Sequence, residues 1–271
     1  MISGKDLKLI AEGNTAEIYE IAPDRILKLF RAGMPREACR KEFECTRIAG
    51  SILQEVPETF EEIDRDGRPG IIYEKIIGRN MLGEMLSKIW NINRQSKRLA
   101  RYHAGIQKKF IGQLPTVKEK LRGDIIAGDL LDTDDKNKII DYLDTLPDGN
   151  ILCHFDFHPG NILIRKNDHV IIDWMTACTG DRSADVARTG IMLKYGVVPR
   201  TSRPVQALAG AVQKHIYKAY VKEYKRITGI TQEAIDQWEL PIAAGRLLEW
   251  LPEKEKTVLS GFIRAKLKEF F

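Results

Sequence analysis

The sequence has no long hydrophobic run and few cysteines, and both absences restrict the kind of protein it can encode. No apolar stretch among its 271 residues approaches the length of a membrane span, and the first six residues contain no secretory hydrophobic segment. The 4 cysteines, Cys39, Cys45, Cys153 and Cys178, form no paired motif. We therefore expect free thiols in a cytoplasmic protein that has no membrane partner.

Internal repeats, low-complexity segments and a strong excess of one charge are also missing. The formal net charge of +5 is small for 271 residues, so it gives little support for a nucleic-acid partner and we expect none. With 43% hydrophobic and 30% charged residues, the chain is globular and long enough to bury a full core. Nothing in the sequence indicates the oligomeric state.

What the sequence does contain is a group of polar residues between short apolar segments. Asp156 follows His154 in a His-x-Asp loop, and Asn161 comes five residues after Asp156. The apolar segment Val170 to Ile172 then ends at Asp173. Kinase-fold enzymes build a phosphoryl-transfer site from residues of these types in this order. In that interpretation Asp156 orients the acceptor hydroxyl and takes its proton, as the catalytic base.

The two strands after the loop predict where a metal would bind. Ile162 to Ile164 and Val170 to Ile172 read as strands joined by a tight turn at Asn167-Asp168, which would bring Asn161 and Asp173 together. One carboxylate and one amide oxygen, with phosphates and water, suit Mg²⁺. A zinc site at His154 and His158 is the weaker interpretation, because Pro159 argues against helical ligand spacing and no cysteine completes a zinc set.

These motifs resemble the aminoglycoside phosphotransferase and choline kinase superfamily. The loop carries Phe155 where protein kinases usually have Arg, and Asp173-Trp174-Met175 stands in place of Asp-Phe-Gly. Gly180-Asp181 and Asp185-Val186-Ala187 also match the family pattern. The resemblance implies an α+β protein-kinase-like fold with a small β-rich lobe and a larger helical lobe. It also implies that Asp185 supports the catalytic loop.

The resemblance extends to a nucleotide-binding lobe at the N-terminus. The turn formed by Gly13, Asn14 and Thr15 joins two strand-like segments, and in relatives this turn covers the ATP phosphates. Lys28 lies in the apolar segment Arg25 to Phe30. A lysine in a half-buried strand needs an anionic partner, which the α- and β-phosphates supply in this superfamily.

Two further expectations concern the partners of the lysine and of the adenine base. Glu37 and Glu42 both lie on a predicted helix from Pro35 to Ala49, and the family spacing favours Glu42 as the partner of Lys28. The segment after the strand Gly70 to Lys75 resembles the hinge between the lobes. By that resemblance the Glu74 carbonyl would accept a hydrogen bond from adenine and the Ile76 amide would donate one.

After Gly78 the chain becomes predominantly helical, so we divide it into residues 1–77 for nucleotide binding and 78–271 for catalysis and substrate binding. One predicted helix runs from Gln232 to Trp250. His103 is expected to be a packed or surface residue of its helix, not a catalyst. Late aromatic residues are expected mainly in the core, with a substrate pocket as the alternative: Tyr217, Tyr220, Trp238 and Trp250.

The sequence therefore favours an ATP-dependent kinase that phosphorylates a hydroxyl of a small molecule, with GTP as a possible alternative nucleotide. A hydroxylated metabolite is favoured over an aminoglycoside, because the region from Arg203 onward is mostly basic. Its acids could still line one face: Glu233, Asp236, Glu239 and Glu249. Two other interpretations stand behind this one, an atypical protein serine/threonine kinase and a nucleotide-binding pseudokinase.

Overall fold

The computed structural model describes residues 7–166, 168–196 and 203–270, with no side-chain description for 203–208. Its chain forms two compact units. The first contains the described residues up to Glu84 together with Pro159–Thr176, and the second contains Met85–His158 and the described residues from Ala177. This division differs from the single predicted cut after residue 77, because a hairpin from the middle of the chain joins the first unit.

Ten strands lie in the described ranges, and eight of them are in the first unit. They are β1 (Lys8–Glu12), β2 (Ala16–Ala22), β3 (Arg25–Phe30), β4 (Thr59–Arg65), β5 (Arg68–Glu74), β6 (Arg79–Asn80), β7 (Ile151–Cys153), β8 (Ile162–Ile164), β9 (His169–Ile171) and β10 (Cys178–Gly180).

Ten α-helices accompany them, and most belong to the second unit. They are α1 (Arg36–Gly50), α2 (Met81–Ser87), α3 (Ile92–Ile106), α4 (Val117–Ala127), α5 (Thr133–Thr145), α6 (Arg182–Tyr195), α7 (Arg203–Thr228), α8 (Gln232–Asp236), α9 (Glu239–Arg246) and α10 (Glu253–Phe270). The mixed content confirms the predicted α+β class.

The first unit is built on an antiparallel sheet with the strand order β1-β2-β3-β5-β4. Side chains of β3 alternate between its faces, as the period of a strand requires. Leu27 and Leu29 pack with Ile72 in one cluster, whereas Phe30 packs with Cys39 of α1 in another. Because Lys28 is two residues from Phe30, it shares the face that α1 covers.

The connection between β4 and β5 is a tight turn. The two strands continue up to Asp66-Gly67, which have φ angles of 54° and 75°. These angles are typical of a two-residue hairpin turn, for which Asp-Gly is a preferred pair. Pro69 is tolerated inside β5 because the pairing of β5 with β3 extends only to Gly70.

A second, smaller sheet in the first unit has the order β6-β8-β9. The predicted strands Ile162 to Ile164 and Val170 to Ile172 are confirmed within one residue, and Ile162 is paired with Ile171. Asn167, part of the predicted turn, lies outside the described residues, whereas Asp168 accepts a bond from Arg165 through its backbone. Gly78 lies so close to the Ile164 carbonyl that a Cβ atom would approach that oxygen to 2.9 Å, which explains glycine there.

The predicted helix from Gln232 to Trp250 is wrong in one respect, because it is two helices, α8 and α9. Pro241 has no amide hydrogen with which to bond the Gln237 carbonyl four residues earlier. That carbonyl instead accepts a hydrogen bond from the Tyr142 hydroxyl at 3.1 Å. The proline therefore interrupts the helix. The Gln237 carbonyl, which loses its helical partner there, is hydrogen-bonded by Tyr142 of α5 instead.

The late aromatic residues divide between core and surface. Tyr220 and Trp238 are fully buried, as expected of core residues, whereas Trp250 is 78% exposed. All four cysteines are free and buried. Within the described ranges, none of the helices combines the length and the apolarity that crossing a membrane requires.

Candidate active site

Lys28 is paired with Glu42, the partner that the sequence analysis favoured. The Lys28 ammonium lies 2.7 and 2.8 Å from the two carboxylate oxygens of Glu42, and the Tyr73 hydroxyl donates to the same carboxylate at 3.0 Å. Glu37, the competing candidate, is exposed on α1. Two glutamates five residues apart point about 140° apart around a helix, so only one of them can face the sheet.

Lys28 also lies near the carboxylate at the end of the β8–β9 hairpin. Its ammonium is 3.6 Å from Asp173. Burial lowers the pKa of Lys28, but the carboxylates of Glu42 and Asp173 outweigh it and hold that pKa above its ordinary value. Burial raises the pKa of Glu42, and Lys28 opposes that effect. The lysine is therefore a permanent cation beside two carboxyl groups.

Asn161 and Asp173 are held together by backbone bonds and by a buried indole. The Ile172 amide donates to the Asn161 carbonyl at 3.0 Å, and the Trp174 indole donates to the Ile171 carbonyl at 2.8 Å. Asp173 has a φ of 67°, a left-handed conformation that is uncommon for a residue other than glycine. The arrangement brings the predicted metal-binding side chains to one end of the small sheet.

The oxygen donors of Asn161 and Asp173 fit Mg²⁺, a hard cation that takes few protein ligands and keeps several waters or phosphate oxygens. No group of three or more His, Cys, Asp or Glu side chains in the described parts of the chain could hold a metal by itself. The pair is thus suited to a metal that arrives with a nucleotide.

The turn of Gly13, Asn14 and Thr15 joins β1 to β2 and is tied to the end of β3 through Arg31. The Arg31 amide donates to the Thr15 carbonyl at 2.9 Å, and its guanidinium donates to the Gly13 carbonyl at 3.0 Å. The same guanidinium pairs with Glu12. Asn14 is exposed at the tip, so the turn is fixed at its base and open at its end.

Glu74 ends β5, and Ile76 lies in the segment that leads to β6. The Glu74 amide donates to the Glu58 carbonyl at 2.9 Å, and its carboxylate accepts from Arg165 at 2.7 Å. These contacts fix the strand end where the sequence predicts adenine recognition.

In the second unit, the loop from His154 to His158 after β7, which the sequence predicts to be the catalytic loop, is supported by Asp185 of α6. The carboxylate of Asp185 accepts from the His154 amide at 3.0 Å and from the Phe155 amide at 2.9 Å. The supporting position expected for Asp185 is therefore present. His103 is a buried partner of this carboxylate at 2.9 Å and stacks on Phe157, so it is a core residue.

Asp156 is half-buried, and cationic or polar groups surround it. Its carboxylate lies 3.7 Å from the His158 ring, and its amide donates to the His154 ring at 3.2 Å. Burial opposes ionisation of Asp156, but His158, Arg188 and His154 together hold its pKa below its ordinary value. Asp156 is therefore a carboxylate at neutral pH and can accept a hydrogen bond from a hydroxyl.

Sequence reasoning missed Arg188 and Tyr73. Arg188 is buried, donates through Nε to the Phe155 carbonyl, and lies over the Phe155 ring at 4.9 Å. Its position three residues after Asp185, in the part of the chain expected to be mainly helical, was the available signal, because that spacing places two side chains on one helix face. The contact of Tyr73 with Glu42 could be predicted only from the strand register, which places Tyr73 opposite Ile26.

A family model described as the phosphotransferase enzyme family matches residues 6–224. The chain belongs to this family. The match covers both groups of residues described above, the Lys28–Glu42 pair with Asp173 and the supported loop that carries Asp156. No curated protein sequence matches the chain.

Solved structures with the same fold agree with the family assignment. The streptomycin–ATP–APH(2")-IIa complex matches with a TM-score of 0.61 and 17% identity over 96% of this chain and 91% of that one. The GDP complex of aminoglycoside 2'-phosphotransferase-IIIa matches with a TM-score of 0.55 and 16% identity over 100% of this chain and 95% of that one. Choline kinase from Cryptosporidium parvum Iowa II matches with a TM-score of 0.56 and 13% identity over 97% of this chain and 89% of that one. This phosphotransferase family member therefore has the kinase-like fold that the sequence predicted.

Proposed function

We propose that this phosphotransferase moves the γ-phosphate of ATP to a hydroxyl of a small molecule. The observation that carries the proposal is the position of the Lys28 ammonium, bonded to Glu42 and 3.6 Å from Asp173. A buried lysine beside a carboxylate that can take Mg²⁺ is the arrangement that anchors nucleotide phosphates in kinase-fold enzymes.

Each residue has a role in this proposal. Lys28, oriented by Glu42, binds the α- and β-phosphates, and the turn of Gly13, Asn14 and Thr15 covers them. Asp173 and Asn161 hold Mg²⁺, which neutralises charge on the phosphates when bound. The backbone at Glu74 and Ile76 binds adenine.

Asp156 acts on the acceptor. Its carboxylate accepts a hydrogen bond from the substrate hydroxyl, orients the oxygen for in-line attack and takes the proton as the new bond forms. Because its pKa is held low, it contributes mainly through orientation, which is a large share of catalysis in phosphoryl transfer.

For the acceptor we propose a hydroxylated metabolite in preference to a polycationic aminoglycoside. Two of the late acids that could bind a polycation already have cationic partners. Glu239 pairs with Lys194, and Glu249 accepts from Arg188 at 2.7 Å. ATP is the proposed nucleotide. Because solved structures of the same fold contain ATP or GDP, GTP should be tested beside ATP as the phosphate donor.

A phosphotransfer screen tests the proposal. Purified protein would be incubated with Mg²⁺ and γ-labelled ATP or GTP and with sets of sugars, amino alcohols, amino acids, aminoglycosides and proteins, using Asp156→Asn as the matched control. We expect label on a small hydroxylated compound with the wild type alone. Label only on proteins would favour an atypical protein kinase, and nucleotide binding without any transfer would favour a pseudokinase.

A further inference from the structure

Three residues on one face of α6 form hydrogen bonds with the backbone of the catalytic loop. Asp185 accepts from the amides of His154 and Phe155, Arg188 donates to the Phe155 carbonyl, and the Thr189 hydroxyl donates to the Phe157 carbonyl at 2.8 Å. Their spacing of three and four residues places them together on the helix surface. The loop is thus bonded to α6 immediately before and immediately after Asp156.

These hydrogen bonds explain how the loop keeps an unfavourable backbone conformation. Phe155 has a φ of 60°, and such a conformation costs a residue other than glycine about 1–3 kcal/mol unless its surroundings enforce it. Asp185 bonds the Phe155 amide and Arg188 bonds its carbonyl, while the Arg188 guanidinium covers its ring. Both peptide groups that flank Phe155 are therefore fixed, and the second of them leads directly into Asp156.

Arg188 is itself held by a chain of charged residues that continues to α10. Its guanidinium donates to Glu249 at 2.7 Å, and Arg246 donates to Glu249 at 3.1 Å and to Glu255 at 3.1 Å. Arg188, Arg246 and Glu255 are buried. Buried charges are tolerated when they are paired, so each member depends on the next.

We propose that Arg188 is a positioning residue for Asp156, and that Glu249, Arg246 and Glu255 hold Arg188 in place, which connects the last quarter of the chain to the catalytic loop. This inference rests on the proposed phosphotransfer function. The Arg188 charge is also one of the causes that lower the pKa of Asp156 against the effect of burial, together with His158 and His154.

The chain supplies a matched control for a purely structural role. Glu223 is a buried glutamate between two arginines, Arg101 at 2.9 Å and Arg226 at 3.0 Å, as Glu249 lies between Arg188 and Arg246. Neither Glu223 nor its partners bond the catalytic loop in any contact described above. Replacing each glutamate with glutamine removes an acid that two arginines share in the same unit, although Arg101 and Arg226 are exposed whereas Arg188 and Arg246 are buried.

The kinetic test compares Arg188→Met, Arg188→Lys, Glu249→Gln and Glu223→Gln with the wild type. We expect Arg188→Met to lower kcat by about 10²-fold, the scale of a small misplacement of a reacting group, with the KM for ATP unchanged. Arg188→Lys should recover part of the loss, Glu249→Gln should lose part of kcat, and Glu223→Gln should match the wild type. Unchanged kcat in Arg188→Met, or equal losses in Glu249→Gln and Glu223→Gln, would overturn the proposal.

A second readout does not require phosphotransfer. The ¹³C carboxyl resonance of Asp156, assigned with Asp156→Asn, would be followed against pH in wild type, Arg188→Met and Glu223→Gln. We expect Asp156 to protonate at higher pH in Arg188→Met alone, and an unchanged titration would contradict the positioning role. If no acceptor is phosphorylated by the wild type, the proposed function fails, and this titration still decides the inference about Arg188.

Discussion

At the scale of single residues, Asp156 and Asp173 have similar exposure but different neighbours. Asp156 lies near His158 and Arg188, which stabilise its anion without contacting Lys28 in any described bond. Asp173 lies 3.6 Å from Lys28 at the end of a strand hairpin. The first carboxylate is therefore suited to accept from a hydroxyl, and the second is suited to share a cation with phosphates.

Asp156→Asn tests the first role. We expect a loss of about 10²-fold or more in turnover, the scale of a general-base contribution. The affinity for Mg-ATP should barely change, because in the proposed mechanism Asp156 contacts the acceptor and not the nucleotide. Steady-state kinetics with an identified acceptor and a nucleotide titration would measure both quantities. Turnover equal to that of the wild type would remove Asp156 from this role.

Asp173→Ala and Asn161→Ala test the second role. The carboxylate carries the charge that Mg²⁺ requires, so Asp173→Ala should weaken Mg²⁺-dependent ATP binding more than Asn161→Ala does. Thermal-shift titrations with ATP, with and without Mg²⁺, would measure the difference. The assignment fails if Asp173→Ala shows the same Mg²⁺-dependent stabilisation as the wild type.

At the scale of elements, α6 holds the conformation of the loop that carries Asp156. A helix can do this because Asp185, Arg188 and Thr189 project from one face, whereas the loop supplies backbone groups that need partners. His103 of α3 then holds the Asp185 carboxylate at 2.9 Å. Side chains of two helices therefore help to hold the loop conformation.

The stability contributed by Asp185 should depend on pH. His103 and the loop amides outweigh burial and lower the pKa of Asp185 below its ordinary value of 3.8. A carboxyl group with a lowered pKa in the folded state stabilises the fold above its unfolded-state pKa and loses that contribution as pH falls through its folded-state pKa. Asp185→Asn should therefore cost about 1.5–3 kcal/mol at pH 7.

Denaturant unfolding of the wild type and Asp185→Asn at pH 7 and at pH 3 would measure this dependence. We expect the difference in free energy of unfolding to be smaller at pH 3, where the unfolded chain gains a proton on Asp185. A difference that stays constant between the two pH values would show that the anion of Asp185 does not support the loop.

The elements also show what sequence could predict and why the rest was missed. Lys28 could be predicted from the apolar strand around it, which is a local pattern. Glu42 was preferred over Glu37 by its resemblance to the family spacing, because helical periodicity alone left both glutamates open. Arg188 contributes through a backbone carbonyl 33 residues earlier. Its spacing from Asp185 indicates a shared helix face, but it does not indicate this contact. The break before α9 was predictable from Pro241, but its satisfaction by Tyr142 depends on tertiary packing.

At the scale of the whole molecule, the four thiols lie in both units and all are buried. Burial raises the pKa of Cys39 to about 12, and a thiol hydrogen bond with Cys178, together with burial, raises the pKa of Cys153. Cys153 and Cys178 are partners across β7 and β10. Thiols in such surroundings react slowly, because the thiolate is the reactive form.

We therefore expect almost no labelling of the native protein by a thiol reagent at neutral pH, and labelling of all 4 cysteines in denaturant. A colour-forming disulfide reagent with and without guanidinium chloride would measure both values. Rapid labelling of the native protein would contradict the buried positions, and fewer reactive thiols in denaturant would reveal a disulfide.

The hairpin of β8 and β9 belongs to the first unit although it lies far along the chain. The polypeptide consequently leaves the first unit after Glu84, returns at Pro159 and leaves again after Thr176. A gene fragment that stops at Glu84 would encode Lys28 and Glu42 but not Asp173. A fragment intended to contain the whole proposed nucleotide site must therefore splice residues 159–176 onto residues 1–84. A split enzyme divided at residue 84 would separate Lys28 from Asp173, the carboxylate proposed to bind the metal.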